Sequence, residues 1–221
     1  MVKILTPQEA ISKMQDGMTV AIGGFLGCGC PDMLIDEVIK QGYKNLTLIC
    51  NDTGFPGRGV GKLQDDNRLA RAYVSYIGAH PETGRQMQTG EMEVILTPQG
   101  SIAEMLRAAG AGLGGVLTPT GIGTIVEEGK QVLTIEGKQY ILEKPLKADV
   151  ALLKAHKADK RGNLVYRRAA RNFNPVMATA ADLVIVQAEE LVETGEIDPD
   201  MVHTPGVYVD ILVNMEGSQN G

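Results

Sequence analysis

Aromatic and basic residues are scarce in this chain. Tryptophan is absent, and phenylalanine and tyrosine supply only 4% of the residues. The 21 lysines and arginines are outnumbered by 27 acidic residues, which leaves a formal charge of −6. Because nucleic-acid-binding domains usually carry a net basic surface, this charge argues against nucleic acid as the main partner.

Long apolar runs are also missing. No stretch approaches the roughly 20 apolar residues of a membrane-spanning helix, and residues 1–7 lack the apolar core of a signal peptide. The three cysteines are Cys28, Cys30 and Cys50. An odd number of cysteines without a secretion signal is typical of reduced thiols. We therefore expect a cytoplasmic protein that binds no membrane.

Familiar metal and dinucleotide motifs occur only in fragments. Cys28 and Cys30 are one residue apart, no second cysteine pair exists, and the three histidines are scattered, so we expect no metal. Residues 110–115 satisfy the spacing G-x-G-x-x-G of dinucleotide-binding loops, which lie between a strand and a helix. Here a predicted helix precedes the glycines, and no helix is predicted directly after them. They are therefore interpreted as a flexible or ligand-facing loop.

Short apolar strands alternate with amphipathic helices along most of the 221 residues. Strands are predicted at 19–22, 46–50, 72–77, 93–96, 150–154, 183–187 and 209–213. Helices are predicted from 7 to about 17, at 31–40, 62–66, 102–109 and 178–181, and after residue 81. This alternation predicts the α/β class, with an open, largely parallel sheet covered by helices on both faces.

One segment departs from that alternation. Two short alternating runs, 131–135 and 139–142, are joined by Glu136-Gly137-Lys138, which predicts a small β-hairpin insertion. The sequence contains no evident repeat or linker, so residues 1–221 are expected to form a single domain.

The densest group of glycines follows the predicted strand 19–22. Gly23, Gly24, Gly27 and Gly29 can adopt backbone angles closed to other residues and let a ligand approach the main chain. Pro31 suits the first position of a helix, and the free N–H groups of a helix start favour an anion or oxyanion. The segment predicts a backbone-lined pocket that has no side chain to perform chemistry.

Two further polar segments, 51–54 and 97–100, also follow predicted strands. Ligands of open α/β sheets bind beyond the carboxyl ends of the strands, so these segments and 23–29 are expected to share a crevice, unless each is only a turn. A basic cluster is formed by Arg167, Arg168 and Arg171. One interpretation is a site for phosphate or a partner surface, and the other is a solvated or ion-paired surface. The surface interpretation is favoured.

Residues 16–31 match the signature of family I coenzyme A-transferases at every position. That signature is Asp-Gly, two free positions, three apolar residues, Gly-Gly-Phe, three free positions, Gly, one free position and Pro. Other segments resemble the α subunit of the acetate/butyrate–acetoacetate branch, which includes the 3-oxoacid CoA-transferases. They are 51–53, 81–85, 90–93, 97–100, 110–123, 127–130 and 170–175.

The resemblance implies ping-pong transfer of coenzyme A between a short-chain acyl-CoA, of the acetoacetyl or butyryl type, and a carboxylate such as acetate. The family's nucleophile is a glutamate in a Ser-Glu-Asn-Gly motif of the β subunit, and this chain contains no Glu-Asn pair. The chain is therefore expected to be active only with a β subunit, in an α2β2 or larger assembly. Coenzyme A is its expected substrate, and no permanently bound cofactor is implied.

The family's glycine loop carries over residue by residue. It implies contacts to coenzyme A from Gly23, Gly24, Phe25, Leu26, Gly27, Cys28 and Gly29. The N–H groups of Gly24, Phe25 and Gly27 are the expected oxyanion donors. Asn51 and Gln99 are candidates for contacts to the acyl group or to the partner's glutamate.

Two alternatives to a heteromeric transferase stay open. One is a self-sufficient thioesterase or hydrolase that uses Cys28 or Glu82, because a helix N-terminus lowers the pKa of a thiol. The other is a non-enzymatic ligand-binding α/β domain.

Overall fold

Twelve strands, six α-helices and three short 3₁₀ helices lie within residues 2–214, the part of the chain that the computed structural model describes. The strands are β1 (Lys3–Ile4), β2 (Thr19–Ile22), β3 (Leu46–Ile49), β4 (Leu69–Val74), β5 (Glu93–Leu96), β6 (Val116–Thr118), β7 (Val132–Ile135), β8 (Lys138–Glu143), β9 (Ala148–Asp159), β10 (Leu164–Val165), β11 (Ala181–Val192) and β12 (Ile211–Asn214). The helices are α1 (Pro7–Ile11), α2 (Asp32–Gln41), α3 (Gly61–Asp65), α4 (Pro81–Thr89), α5 (Gln99–Gly110) and α6 (Asn174–Thr179).

The main sheet has the strand order β1-β12-β11-β9-β2-β3-β4-β5, and every pair along this path is parallel. Short strand β10 adds an antiparallel pairing to β9. From β2 the chain moves outward through β3, β4 and β5, and it then returns to place β9 on the other side of β2. The strand order therefore reverses between β2 and β9, which is where ligands of open α/β sheets bind.

Helices cover both faces of this sheet. Successive strand residues point to opposite sides, and because both sets are apolar in β2, each face packs against helices. Val20 and Ile22 pack into one buried cluster with residues of α1, α2 and α3. Ala21 points the other way, into a second cluster with residues of α5 and α6. The predicted largely parallel sheet with two helical layers is confirmed.

The predicted hairpin is part of a second, three-stranded antiparallel sheet with the order β6-β8-β7. Glu136 and Gly137 both have positive φ, 52° and 78°, which is the conformation of a two-residue type I′ turn. The third strand, β6, directly follows residues 110–115, which were interpreted as a loop, and it was not among the strands predicted from the sequence.

Several predicted bounds were wrong by a few residues. The first helix ends at Ile11, well before Gly17. Pro31 is the N-cap of α2 and not its first helical residue, because its ψ of 71° is not helical. The predicted helix 178–181 lies earlier, at Asn174–Thr179, since Pro175 occupies its first turn and Ala181 already begins β11.

The remaining differences concern the ends of strands, the start of α5 at Gln99 instead of the predicted 102, and the short strands β1 and β10, which were not predicted. Strand β4 starts and ends three residues before the predicted 72–77, and β12 starts two residues after the predicted 209. Within residues 2–214, no helix has both the length and the apolar character needed to cross a bilayer.

Candidate functional site

The glycine loop, residues 23–29, leaves β2 at the point where the strand order reverses. The Gly23 N–H still donates to the Leu152 carbonyl of β9, at 3.0 Å, and the chain then turns away. Phe25 and Cys28 exchange two backbone hydrogen bonds of 3.0 and 2.9 Å. These bonds close a two-residue turn at the tip of the loop.

The residues inside that turn are Leu26 and Gly27, with φ of 47° and 87°. Positive φ at both positions defines a type I′ turn, which normally carries Asn, Asp or Gly at its first central position. A leucine in this left-handed conformation costs about 1–2 kcal/mol. The tip of the loop is therefore strained at Leu26.

A buried carboxylate holds this strained residue. Asp52, only 2% exposed, follows β3. Its Oδ2 accepts the Leu26 N–H at 2.9 Å, and its Oδ1 accepts the Gly54 N–H at 2.8 Å. Hydrogen bonds to charged groups contribute about 1.5–3 kcal/mol, enough to offset the strain of the turn.

Two amide side chains join the glycine loop to the neighbouring strand ends. The Asn51 Nδ2 donates to the Gly24 carbonyl at 2.6 Å, and the Gln99 Nε2 donates to the Asn51 Oδ1 at 2.8 Å. Asn51 is 1% exposed. The ends of β2, β3 and β5 therefore lie together as the sequence predicted, although the functional roles of Asn51 and Gln99 stay predictions.

Two asparagines that sequence reasoning did not assign to the site hold the other side of the loop. The Asn172 Oδ1 accepts the Gly24 N–H at 3.2 Å, and its Nδ2 donates to the Cys28 carbonyl at 3.0 Å. Asn174, fully buried, donates to the Gly29 carbonyl at 3.2 Å and accepts the Lys154 N–H at 3.1 Å. Their only sequence signal was membership of the family-like segment 170–175.

Close approach of protein atoms explains two of the glycines. A Cβ on Gly23 would lie 1.9 Å from the Asn174 Oδ1, and one on Gly29 would lie 2.6 Å from the Ala170 carbonyl oxygen. At these two positions the missing side chain makes room for the asparagine segment, and the predicted contacts of Gly23 and Gly29 to coenzyme A stay predictions.

Most N–H groups of the loop are already used within the chain. Those of Gly24, Phe25, Leu26 and Cys28 donate to chain acceptors. In the part of the chain that the structure describes, the Gly27 N–H has no acceptor, and nothing lies within 4 Å of a Cβ built on Gly27. Of the three predicted oxyanion donors, Gly27 is therefore the one whose N–H is available to a ligand.

None of the three cysteine thiols near the loop is equipped as a nucleophile: two are buried with raised pKa values, and the exposed one has no histidine base beside it. Burial raises the pKa of Cys30, and burial together with the Asp52 charge raises the pKa of Cys50 to about 12. Cys28 is exposed. The three histidines of residues 2–214 have other neighbours: His80 lies beside Asp65, His156 beside Glu189, and His203 accepts the Tyr166 N–H. No thiol–imidazole pair is formed with Cys28.

Glu82, the other proposed hydrolase residue, is engaged on the surface of α4. Both of its oxygens accept from the Arg85 Nε, at 2.9 and 3.0 Å, and this contact lowers the pKa of Glu82. Among residues 2–214, no group of three or more His, Cys, Asp or Glu side chains is placed to hold a metal ion.

The arginine cluster lies on the exposed surface, and its interpretation as a solvated face stays a prediction. Arg167, Arg168 and Arg171 are all exposed, and none of the ion pairs formed within the described residues includes them. Arg171 also lines a cleft of about 530 Å³ beside Asn172 and Phe173.

The family model for coenzyme A transferase matches residues 4–215. The chain belongs to the coenzyme A transferase family. It is 52% identical to the alpha subunit of the acetate CoA-transferase of Escherichia coli K12, over 97% of this chain and 98% of that one. It is 48% identical to the acetoacetyl-CoA:acetate/butyrate CoA transferase alpha subunit of Clostridium acetobutylicum, over 96% of this chain and 97% of that one.

A solved coenzyme A transferase shares the fold of this family member. The acyl-CoA transferase of E. coli O157:H7, determined as a thioester complex with CoA, superposes with a TM-score of 0.86 at 24% identity. The match covers 97% of this chain and 47% of that one, so this chain spans about half the length of the solved protein.

Proposed function

We propose that this chain is the α subunit of a heteromeric CoA-transferase that moves coenzyme A between a short-chain acyl-CoA, of the acetoacetyl or butyryl type, and a carboxylate such as acetate. One observation carries the proposal. The glycine loop presents the free Gly27 N–H at the strand-order reversal, while the neighbouring thiols and carboxylates are buried, unpaired with a base or otherwise engaged. This is the expected composition of half an active site.

The proposed chemistry divides the work between two chains. A β-subunit glutamate attacks the thioester carbonyl, and coenzyme A then leaves the tetrahedral adduct as a thiolate, so that an acyl–glutamyl anhydride remains. The thiolate then attacks the glutamyl carbonyl, releases the first carboxylate and leaves a glutamyl-CoA thioester. A second carboxylate reverses these steps, so no water or external energy source is consumed.

The part assigned to this chain is stabilisation of the negative oxygen that forms in each attack. A preorganised backbone donor contributes about 3 kcal/mol to such a step, and the Gly27 N–H is the donor we assign. Gln99 is exposed and its Nε2 is bound to Asn51, which supports a contact from its Oε1 to the acyl group or the partner's glutamate. Asn51 then orients Gln99 and Gly24.

Several further properties belong to the same proposal. We place the chain in the cytoplasm with a β subunit, in an α2β2 or larger assembly, and treat residues 1–221 as one CoA-transferase domain. Coenzyme A is the substrate rather than a resident cofactor.

The test is partner dependence. We expect the purified chain to show no transfer of coenzyme A from acetoacetyl-CoA to acetate, and to gain this activity when it is co-expressed with a CoA-transferase β subunit. Full transfer by the isolated chain contradicts the proposal. Release of free coenzyme A without an acceptor carboxylate, abolished by alkylation of Cys28, supports a thioesterase instead.

A matched pair of variants tests the loop. Gly17 and Gly27 both have positive φ, 80° and 87°, and neither has an atom within 4 Å of a built Cβ. Gly17→Val and Gly27→Val therefore carry similar backbone strain, but Gly17 lies at the opposite end of β2. We expect only Gly27→Val to reduce turnover of the complex strongly, and equal effects contradict the assignment.

A further inference from the structure

The orientation of the Gly27 N–H depends on a residue that does not itself face the ligand. We propose that Asp52 is a positioning residue for the transfer reaction: by holding the Leu26 N–H it keeps Leu26 left-handed and directs the Gly27 N–H out of the loop. This inference rests on the proposed function, because it concerns the donor that the proposal assigns to the oxyanion.

The peptide between Leu26 and Gly27 carries the N–H in question. Its orientation is set by the backbone angles of Leu26, whose φ is 47°. Leucine strongly prefers negative φ, and a change to that region rotates this peptide and points the Gly27 N–H elsewhere. Gly27 itself adopts positive φ without cost. Leu26 is therefore the position at which the turn needs an external restraint.

Asp52 is built to supply that restraint. Its carboxylate is 2% exposed and is fixed at both ends, since Oδ1 accepts from the Gly54 N–H and Oδ2 from the Leu26 N–H. The adjacent Asn51 donates a hydrogen bond from its Nδ2 to the Gly24 carbonyl at 2.6 Å. Two consecutive residues at the end of β3 thus hold the loop on either side of Phe25.

A second aspartate provides a matched control with the same chemistry elsewhere. Asp159, also 2% exposed, ends β9. Its Oδ1 accepts the N–H groups of Arg161 and Asn163, both at 2.9 Å. It therefore holds a backbone turn in the way Asp52 does, but its hydrogen bonds do not include the glycine loop.

The experiment compares Asp52→Asn with Asp159→Asn in the complex with the β subunit. An amide has one acceptor oxygen. Asp52→Asn therefore loses support for one of two backbone N–H groups, whereas Asp159→Asn loses the bond that Oδ2 accepts from the Asn163 Nδ2 at 2.8 Å. We expect Asp52→Asn to lower kcat about tenfold to a hundredfold, somewhat less than complete removal of an oxyanion donor, with KM for acyl-CoA within about threefold. Asp159→Asn should lower the melting temperature and leave kcat within about twofold.

A rescue variant distinguishes positioning from general support of the fold. Asparagine adopts positive φ more readily than leucine, so Leu26→Asn reduces the need for the carboxylate. We expect Leu26→Asn, added to Asp52→Asn, to recover at least about fivefold of the lost kcat. No recovery, or equal kcat losses in the Asp52 and Asp159 variants, overturns the proposal.

Amide hydrogen exchange in the isolated chain gives a readout that needs no activity. The Leu26 amide should exchange faster in Asp52→Asn than in the wild type, and at the wild-type rate in Asp159→Asn. Unchanged Leu26 exchange in Asp52→Asn overturns the role of Asp52. Absence of transfer by the wild-type complex instead overturns the proposed function, so the two failures are distinguishable.

Discussion

Replacement of Gly23 by alanine tests the packing of the glycine loop against the asparagine segment. The new methyl group would lie 1.9 Å from the Asn174 Oδ1 and 2.5 Å from its Cγ, far inside van der Waals contact. Asn174 is fully buried, so its side chain has to move. The backbone of Gly23 is not left-handed, and the effect is therefore steric.

The cost follows from what Asn174 holds. Displacement breaks its hydrogen bonds to the Lys154 N–H, the Gly29 carbonyl and the Ala170 carbonyl, of 3.1, 3.2 and 2.9 Å. At about 1 kcal/mol for each bond, the free energy of unfolding should fall by about 3 kcal/mol. For a chain of this size such a loss lowers the melting temperature by about 6–12 °C.

Thermal and urea unfolding of Gly23→Ala measure this loss. Gly84→Ala is the matched control, because Gly84 lies inside α4 and a Cβ there has nothing within 4 Å. Alanine is the better helix former by about 0.5–1 kcal/mol, so the control should be slightly stabilised. A Gly23→Ala protein as stable as the wild type would refute the contact between Gly23 and Asn174 as the reason for the glycine.

Three further outcomes are expected. Iodoacetamide at about pH 8 should modify Cys28 and leave Cys50 intact, because burial and the nearby Asp52 carboxylate raise the pKa of Cys50 to about 12. Peptide mass spectrometry identifies the modified cysteines, and modification of Cys50 in the native protein contradicts this expectation. Hydrogen bonds from Arg85 lower the pKa of Glu91 from 4.5 to about 2, so the contribution of Glu91 to stability is present above pH 4.5 and is lost as the pH falls toward 2. Glu91→Gln should therefore weaken the pH dependence of the urea-derived unfolding free energy between pH 4.5 and 2, and the same pH dependence in variant and wild type contradicts this expectation. Thr6→Ala removes the side chain that accepts a helix N–H at 3.2 Å and should lower the unfolding free energy by about 1 kcal/mol, with an unchanged urea midpoint as the opposing result.

Local patterns were sufficient to predict the layers of the fold. The alternation of apolar strands with amphipathic helices predicted helices on both faces of the sheet, and the structure buries Val20 and Ile22 in one cluster and Ala21 in another. Gly137 after Glu136 marked the hairpin correctly. These features depend on residues close together in the chain, where periodicity and turn chemistry act directly.

The support of the glycine loop could not be predicted in the same way. Asn172 contacts Gly24 across 148 positions of sequence, and no spacing rule identifies such a pair. Leu26 also adopts a left-handed conformation that leucine disfavours, and it is held by Asp52, which follows a different strand, β3. Tertiary contacts therefore decide which of the three predicted donors keeps a free N–H, whereas the sequence did not distinguish Gly27 from Gly24 and Phe25.

The position of β1 at the edge of the main sheet determines when this strand can pair during folding. Strand β1 pairs with β12 alone in the described sheet, with Lys3 opposite Ile211 and Ile4 opposite Leu212. During synthesis on the ribosome, strands β2 to β5 can associate long before β12 has been made, but β1 cannot. Strand β1, although it precedes β2 in the chain, is therefore among the last to be paired, and such sequence-distant closure slows the final folding step.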